Sequence, residues 1–469
     1  MASDAYRYAI LVITLVLSSL LTANTILYNF TVICETPELE FWGLSNDALQ
    51  EFTSSEESWI LAMVAVGGVA GTVPAIQLTD LAGMKISFAI FGLLSSVATF
   101  MMPLALTNFY YALAARFAQG LSMACASVAG GKIPSMWGTE KDRNVFVSIL
   151  TCFYQIGPFL AMPSSAFFCS SSFGWPGVYY FFGISTVTVT TIFFFAYKDS
   201  PNAERTSKRI SSTSSVLPIT KEEVQEEPKA SGHVSYKKML LSKSFWGLMI
   251  SGFGDSVGFQ LFILFGPTYL NKVLNFEVAH TGILAALPYL LSIGAKSVSG
   301  VLLDKITCIG DHIRIISFTF MSQVISIVCV FMLTVLSHDT PRLTQSFYTI
   351  NIIASGLHHV GVMSGSQIVA QQNMHILSSS LAAVDSVVSL CLPRMVTLIA
   401  PNHSNKEVSL LHLSSSLMKS LFQWTIVFYT IIGVLVVTNL LFVLLTRVKP
   451  AAWAQKGREE NVQTKKTVQ

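Results

Sequence analysis

The sequence predicts an all-α membrane protein of twelve transmembrane helices arranged as two six-helix bundles. Three observations carry that prediction. First, only 12% of the 469 residues are charged and 52% are hydrophobic, where an ordinary globular domain carries roughly 25% charge. Second, the charges are segregated. Charge-poor apolar runs of about 20 residues, enough to cross a hydrocarbon core of about 30 Å, alternate with short polar segments. Third, a long polar stretch at 198–243 divides these runs six and six.

The first run, 8–30, follows Arg7. It is longer than a signal-peptide core and no small-residue cleavage pattern follows it, so it is read as a membrane helix. The loop at 31–57 is acidic, with Glu35, Glu38, Glu40, Asp47, Glu51, Glu56 and Glu57. Runs at 58–79, 85–105, 108–131, 144–166 and 176–197 complete a first bundle, residues 1–197. Gly67 and Gly71 form a GxxxG step in its second run, a pattern that lets helix backbones approach closely. Residues 198–243, rich in Ser, Thr, Lys and Glu and holding Pro201, Pro218 and Pro228, have the composition of a disordered linker. Runs at 244–266, 281–302, 315–336, 346–370, 377–400 and 421–446 form the second bundle, 244–446, and 447–469 is a tail. Pro74, Pro158, Pro163, Pro288 and Pro393 fall inside runs, which membrane helices tolerate when neighbours satisfy the freed backbone groups.

Lys and Arg set the orientation. With the N-terminus inside, the outer segments hold only Lys272, Arg342, Lys406 and Lys419, and most of the other basic residues fall on inner segments. This bias places both termini in the cytoplasm. Seven cysteines show no CxxC or Cys/His spacing, and most are read as small packing residues. Cys34 and Cys169 both fall on the outer side, which permits a disulfide without fixing it. Asn402 begins a glycosylation sequon in the last outer loop. Asn29 begins a second, too near the membrane edge for ready use. The net charge of +3 supplies no basic tract of the kind that holds nucleic acid. No hydrolase, kinase or phosphate-loop signature is present, so the sequence points away from an enzyme and an ATP-driven pump. No metal or cofactor motif is present either.

Ionisable residues inside spans cost about 2.5–3.5 kcal/mol each on insertion scales, which makes them functional candidates. They are Arg116 in the fourth span, Asp255 in the seventh, Lys296 in the eighth, His358 and His359 in the tenth, and Asp385 and Arg394 in the eleventh. A guanidinium stays charged and matches carboxylate or phosphate geometry, so Arg116 is assigned to anion binding, against the alternative of a fixed ion pair, for instance with Asp255. Asp255 is the candidate for ion coupling, with structural pairing or neutralisation of Lys296 as the alternative. Lys296 is a candidate substrate contact near enough to the inner face to snorkel. His358 and His359 point to different helix faces, so at most one faces a central cavity. Asp385 and Arg394 are expected to partner other helices. Two inner loops echo each other: Asp80-x-x-Gly83-x-Lys85 after the second span and Gly300-x-x-x-Asp304-Lys305 after the eighth. An acid and a base at the same place in each half suggest gating.

Several ordered motifs are similar to one family. PTYLNKVLNFEVAHTGILAALPYL (267–290), GWPGVYYFFGI (174–184), RFAQGL (116–121), the loop from Trp137 to Arg143 and YKKMLLSKSFW before the seventh span resemble the anion–cation symporter branch of the major facilitator superfamily, which includes sialin, vesicular glutamate transporters and type I sodium/phosphate cotransporters. The resemblance covers the second to the twelfth span. It implies alternating access, Arg116 facing a central anion site, Tyr269 lining or gating the outer mouth, and Asp142 and Arg143 acting at the inner loop. Two departures stand out. The family often carries a glutamate linked with proton coupling seven residues after the span 4 arginine; here Met123 stands there. Vesicular glutamate transporters carry an arginine where this chain has Asp255.

The expectation is therefore a secondary transporter of a small carboxylate or phosphate, monomeric in the bilayer and coupled to Na⁺ or H⁺. An uncoupled anion uniporter and a transporter-shaped receptor or scaffold without turnover are the alternatives. Plasma membrane and acidic vesicle or lysosome both fit.

Overall fold

A computed structural model describes residues 2–34, 52–137, 146, 149–198, 236–274, 276–305, 309–336, 340–371, 374–399, 413–451 and 453. Eleven long helices dominate it: α1 (Ala2–Thr31), α2 (Ser54–Phe100), α3 (Phe109–Trp137), α4 (Phe153–Cys169), α5 (Gly174–Ala196), α6 (Lys243–Thr268), α7 (Val278–Lys305), α8 (Asp311–Val335), α9 (Pro341–Ala370), α10 (Met374–Ile399) and α11 (Leu413–Leu445). Short helices at Met102–Ala105 and Tyr236–Leu240 and a π turn at Tyr269–Val273 join them.

Eleven helices make twelve crossings because α2 crosses twice. Its 47 residues would extend about 70 Å as a straight helix. It is broken at Gly83, whose φ of 85° and ψ of 166° leave helical space. That left-handed φ suits glycine, which has no Cβ to clash. Thr53 caps the start of α2: its side chain accepts from the Glu56 backbone N–H while Glu56 accepts from the Thr53 N–H, a reciprocal box that satisfies otherwise orphaned donors. The spans at 58–79 and 85–105 are thus two limbs of one bent helix. A turn at Cys152 separates α4 from the helical residues 149–151 before it. Nine described helices, α2 among them, are long and apolar enough to span by composition alone. The two that are not are α4, with 17 residues, and α9, which carries polar residues along its length.

Crossings one to six pack on one another, α2 on α3 and α5 and α1 on α4 and α5. The last six do likewise, α8 on α9 and α11 and α6 on α10 and α11. The halves meet through α4 against α7, α2 against α10, and α1 against α6. The first two contacts pair crossing five with eight and two with eleven, so a shift of six crossings maps one onto the other, as in a two-half repeat. The GxxxG step sits where α2 meets α3. A methyl on Gly67 would collide with the Phe117 carbonyl oxygen, and one on Gly71 would lie 2.8 Å from that of Leu121. Gly120 completes the contact: its own Cβ would lie 3.0 Å from the Gly67 Cα.

Cys34 and Cys169 are disulfide-bonded, tying the end of α1 to the end of α4. We call this the disulfide face and the opposite end, where α1 begins and α11 finishes, the tail face. Among the described residues, one apolar core joins both halves toward the disulfide face, from Ile60 and Tyr179 to Phe265 and Trp424. Toward the tail face two separate cores replace it. One lies in the first half around Phe88, Phe146 and Tyr197, the other in the second around Leu248, Val369 and Phe442. Among the described residues, the seam between halves is therefore sealed by apolar packing at the disulfide face and not at the tail face.

Candidate functional site

The first half contributes Arg116, held by α3 just beneath the apolar seal and only 1% exposed. Its Nη1 donates to the Thr25 carbonyl at 2.7 Å and to Gln119 Oε1 at 3.1 Å, its Nη2 to Asn29 Oδ1 at 3.4 Å, and its Nε to the Ile60 carbonyl at 3.3 Å. The Tyr28 ring lies 5.3 Å from the guanidinium carbon. Every one of these partners is neutral. Asn29 in turn donates to the Ile263 carbonyl of α6 at 3.3 Å, so one amide links Arg116 to the second half. Asn29, Glu57 and Lys272 line a cavity of about 20 Å³ at this level, room for about one water. Met123 lies further along α3, its sulfur 3.5 Å from the Thr22 hydroxyl.

The second half contributes a different cluster at mid-depth. Asp255 of α6 accepts a 2.7 Å hydrogen bond from Ser355 of α9 and faces His358 Nδ1 at 3.7 Å. Ser251 holds the other ring nitrogen, Nε2, at 3.0 Å. His358 is 1% exposed. Lys296 of α7 lies within electrostatic reach of Asp255 and of Cys152 at the start of α4. Its side-chain stem passes Gly356, where a Cβ would lie 3.4 Å from Lys296 Cε. His359 falls on the neighbouring face, within reach of Lys296 and Asp255. Asp385 of α10 accepts a hydrogen bond from Ser256 of α6 and sits near Tyr154 of α4. Two carboxylates thus flank one turn of α6, each tied to a different neighbouring helix.

The sequence candidates sort accordingly. Asp255, Lys296, His358 and His359 come together. Arg116 does not join them, and it has no ion pair with Asp255, whose described partners are Ser355 and His358. Arg394 partners another helix as expected, donating to Ser55 Oγ at 2.5 Å and lying over the Trp59 ring, so it bridges the halves at the disulfide face. Tyr269, at the π turn, is 4% exposed and packs on Trp424 and Phe428 of α11 at 5.5 Å each; it is part of the seal. Asp80 does not pair with Lys85. Its partner is Lys132 of α3 at 2.6 Å, and Lys85 lies over the Phe194 ring at 4.6 Å. Asp80 is thus tied within the first half and not across the seam. Asp142, Arg143 and Asn402 lie outside the described residues, as do the side chains of Asp304 and Lys305. Sequence reasoning missed Ser251, Ser256, Ser355, Lys132 and Tyr154. For Ser251 and Ser355 a signal existed: Ser251 is one helical turn before Asp255, and Ser355 is three residues before His358.

Residues 5–392 match the Major Facilitator Superfamily, and the chain belongs to that superfamily. Rat sodium-dependent phosphate transport protein 1 is 25% identical over 64% of this chain and 66% of its own length. Sheep sialin is 27% identical over 50% of this chain and 46% of its own, and a probable small intestine urate exporter of mouse is 24% identical over 64% and 60%. The match to several of these curated relatives thus spans less than two thirds of their length. Among solved structures, a bacterial homologue of the lysosomal transporter Spinster, inward-facing and unoccupied, superposes with a TM-score of 0.67 at 16% identity over 94% of this chain and 97% of that one. A D-xylose–proton symporter gives 0.66 at 14% identity over 97% and 99%. These likenesses bear out the twelve-crossing fold. The relatives bear out the anion–cation symporter branch and a membrane transporter that is not an enzyme.

Proposed function

We propose that this transporter moves a small inorganic or organic anion by alternating access and couples it to protons through Asp255. One observation carries the reading: Asp255, His358 and Lys296 meet at the seam, within the half that holds every carboxylate found inside a span. A carboxylate beside an imidazole is a proton-loading pair, whereas an imidazolium beside the same oxygens repels Na⁺. Protonating Asp255 removes the negative charge within electrostatic reach of Lys296, and the ammonium then takes an anion. Loss of the proton restores that charge and releases the anion. Proton and anion then move in the same direction. Arg116 supplies a second positive charge, uncompensated by any hydrogen-bonded carboxylate, toward the disulfide face. Its neutral partners leave its charge available to an anion once the seal opens.

The disulfide supports an orientation. Such bonds persist in oxidising compartments, and the face opposite it carries most of the basic residues. Together these favour a cytoplasmic tail face and cytoplasmic termini. The separate tail-side cores then correspond to an inward-facing state.

The test is uptake into liposomes holding purified protein, with labelled inorganic phosphate, urate and lactate under imposed H⁺ or Na⁺ gradients. Wild type is expected to accumulate an anion when the H⁺ gradient is imposed. Asp255→Asn is expected to exchange anion at equal pH but ignore the gradient, and Lys296→Ala to lose both. Na⁺-driven uptake that survives in Asp255→Asn would overturn the proton assignment. A folded wild type that moves none of these anions under any gradient would move the transporter-like receptor to first place.

A further inference from the structure

His358 sits about 20 Å along α9 from Gln345, counted as helical rise, and Gln345 lies one turn inside the disulfide-side end of that helix. Protons reaching His358 and Asp255 from that side in the sealed state need a route other than the seam. The interior of the second half offers one. Gln345, Tyr348, Ser355 and His358 fall on one side of α9 at spacings of three, seven and three residues, which keeps them on neighbouring faces. Tyr289 and Ser292 of α7 lie alongside. Gln345 Nε2 donates to the Leu284 carbonyl of α7 at 2.8 Å, Tyr289 lies within electrostatic reach of Tyr348, and Ser292 Oγ lies against Gly356. Ser355 then bonds Asp255, and Ser251 bonds His358.

The polar atoms along this line share one property. Gln345 Oε1, the hydroxyls of Tyr348, Tyr289 and Ser292, and His358 Nδ1 are all buried without a hydrogen-bond partner among the described residues. The four side chains from Tyr348 to Ser292 and His358 are nine-tenths buried or more. A buried hydroxyl left unpartnered is costly, and buried polar atoms in native proteins are ordinarily paired with protein or with ordered water. Five such atoms in one line, ending on an ionisable pair, point to water.

We propose that waters bound between α7 and α9 form a proton relay inside the second half, from Gln345 through Tyr348, Tyr289 and Ser292 to Asp255 and His358. The inference rests on the proton-coupled reading above and names the path by which its acid is loaded. Each relay group passes one proton forward as it accepts one behind, so the hydroxyls end unchanged. The net step turns one hydronium at the mouth and the Asp255 carboxylate into water and a carboxylic acid. The charged and titratable groups facing this line are Asp255 on α6, Lys296 on α7 and His358 and His359 on α9, with Asp385 on α10 beside them. Described α8 residues contribute Ser326 there, which donates to Asn351, and no charge.

Tyr348→Phe and Tyr289→Phe test the relay, with Asp255→Asn alongside. Three quantities are read for each: H⁺-driven uptake of the anion wild type moves from the panel, exchange of that anion at equal pH, and melting temperature. The expected result is H⁺-driven uptake slowed by about tenfold or more, exchange within about twofold of wild type, and a melting temperature at or below that of wild type. If driven uptake is unchanged in both variants, or falls only in step with exchange, the relay is overturned. A phenylalanine variant that melts above wild type marks a dry hydroxyl and also overturns it, whether or not transport is coupled. Absence of H⁺-driven uptake in wild type itself, or its survival in Asp255→Asn, instead overturns the coupling reading. The melting arm then bears on the water line alone: a variant that melts above wild type overturns it, and one that melts at or below wild type keeps it.

Discussion

The two halves share a six-crossing plan and carry opposite chemistry. The spans of the first half contain no carboxylate. Their buried cation, Arg116, is held by four neutral oxygens, and the position two turns along α3 is Met123, beside Thr22. The second half carries both mid-membrane carboxylates, Asp255 and Asp385, together with Lys296, His358 and His359. One half has a fixed charge in a neutral web; the other has charges able to change. Among the described residues the halves also differ in covalent cross-linking. The first is stapled by Cys34–Cys169, while Cys329 and Cys391 of the second are free. On the proposed reading, the first half attracts the anion and the second couples its movement to protons.

The largest expected effect is at Arg116. Arg116→Ala strips donors from Gln119 and Asn29, each a loss of about 1–3 kcal/mol where the group is left buried and unsatisfied, and it removes the first half's charge. Anion uptake is expected to fall to background and the melting temperature to drop. Arg116→Lys should keep part of the uptake, since it keeps the charge but not the four-way bonding. Should the alanine variant fold and still transport, the first half would be only a scaffold and the comparison would break.

A smaller effect is expected from Cys34→Ser with Cys169→Ser. Closing a loop with a disulfide contributes about 2–4 kcal/mol. Loss of stability with anion exchange retained, read by thermal melting and equal-pH exchange, would sharpen the picture of a staple that stiffens without taking part in turnover. The smallest effect is at Asp80. Its pair with Lys132 is substantially exposed, so Asp80→Asn should shift stability by no more than about 1 kcal/mol. A large change in uptake with an unmoved melting temperature would show that this intra-half tie controls opening at the tail face.

The division into twelve crossings was legible because bilayer thickness and apolar run length are tied by simple geometry. Gly67 and Gly71 were legible as a close contact because only small residues permit it, and Cys34 and Cys169 because topology put them on one face. The run at 346–370 was legible as α9 even though Gln345, Asn351, Ser355 and His358 make it more polar than its neighbours, and those are buried residues of its own half. The pairings within the site were not legible. Asp80 and Lys85 share a short loop and invite pairing, but the helix rotation that turns Asp80 toward Lys132 depends on how α2 packs on α3. The bond from Ser256 to Asp385 likewise depends on the angle between α6 and α10. Spacing reports which residues share a helix face; it does not report which helix that face will meet.

Asn29 sits at the junction of these two chemistries. Its oxygen accepts from Arg116 and its nitrogen donates across the seam to Ile263. Parting the halves at the disulfide face must break the second bond, which leaves an amide N–H beside a guanidinium at the moment the pathway admits solute. The latch thereby becomes a ligand. On the proposed reading, an anion that takes that N–H binds the open state and not the sealed one, so its concentration shifts the balance between them and the solute acts as its own key.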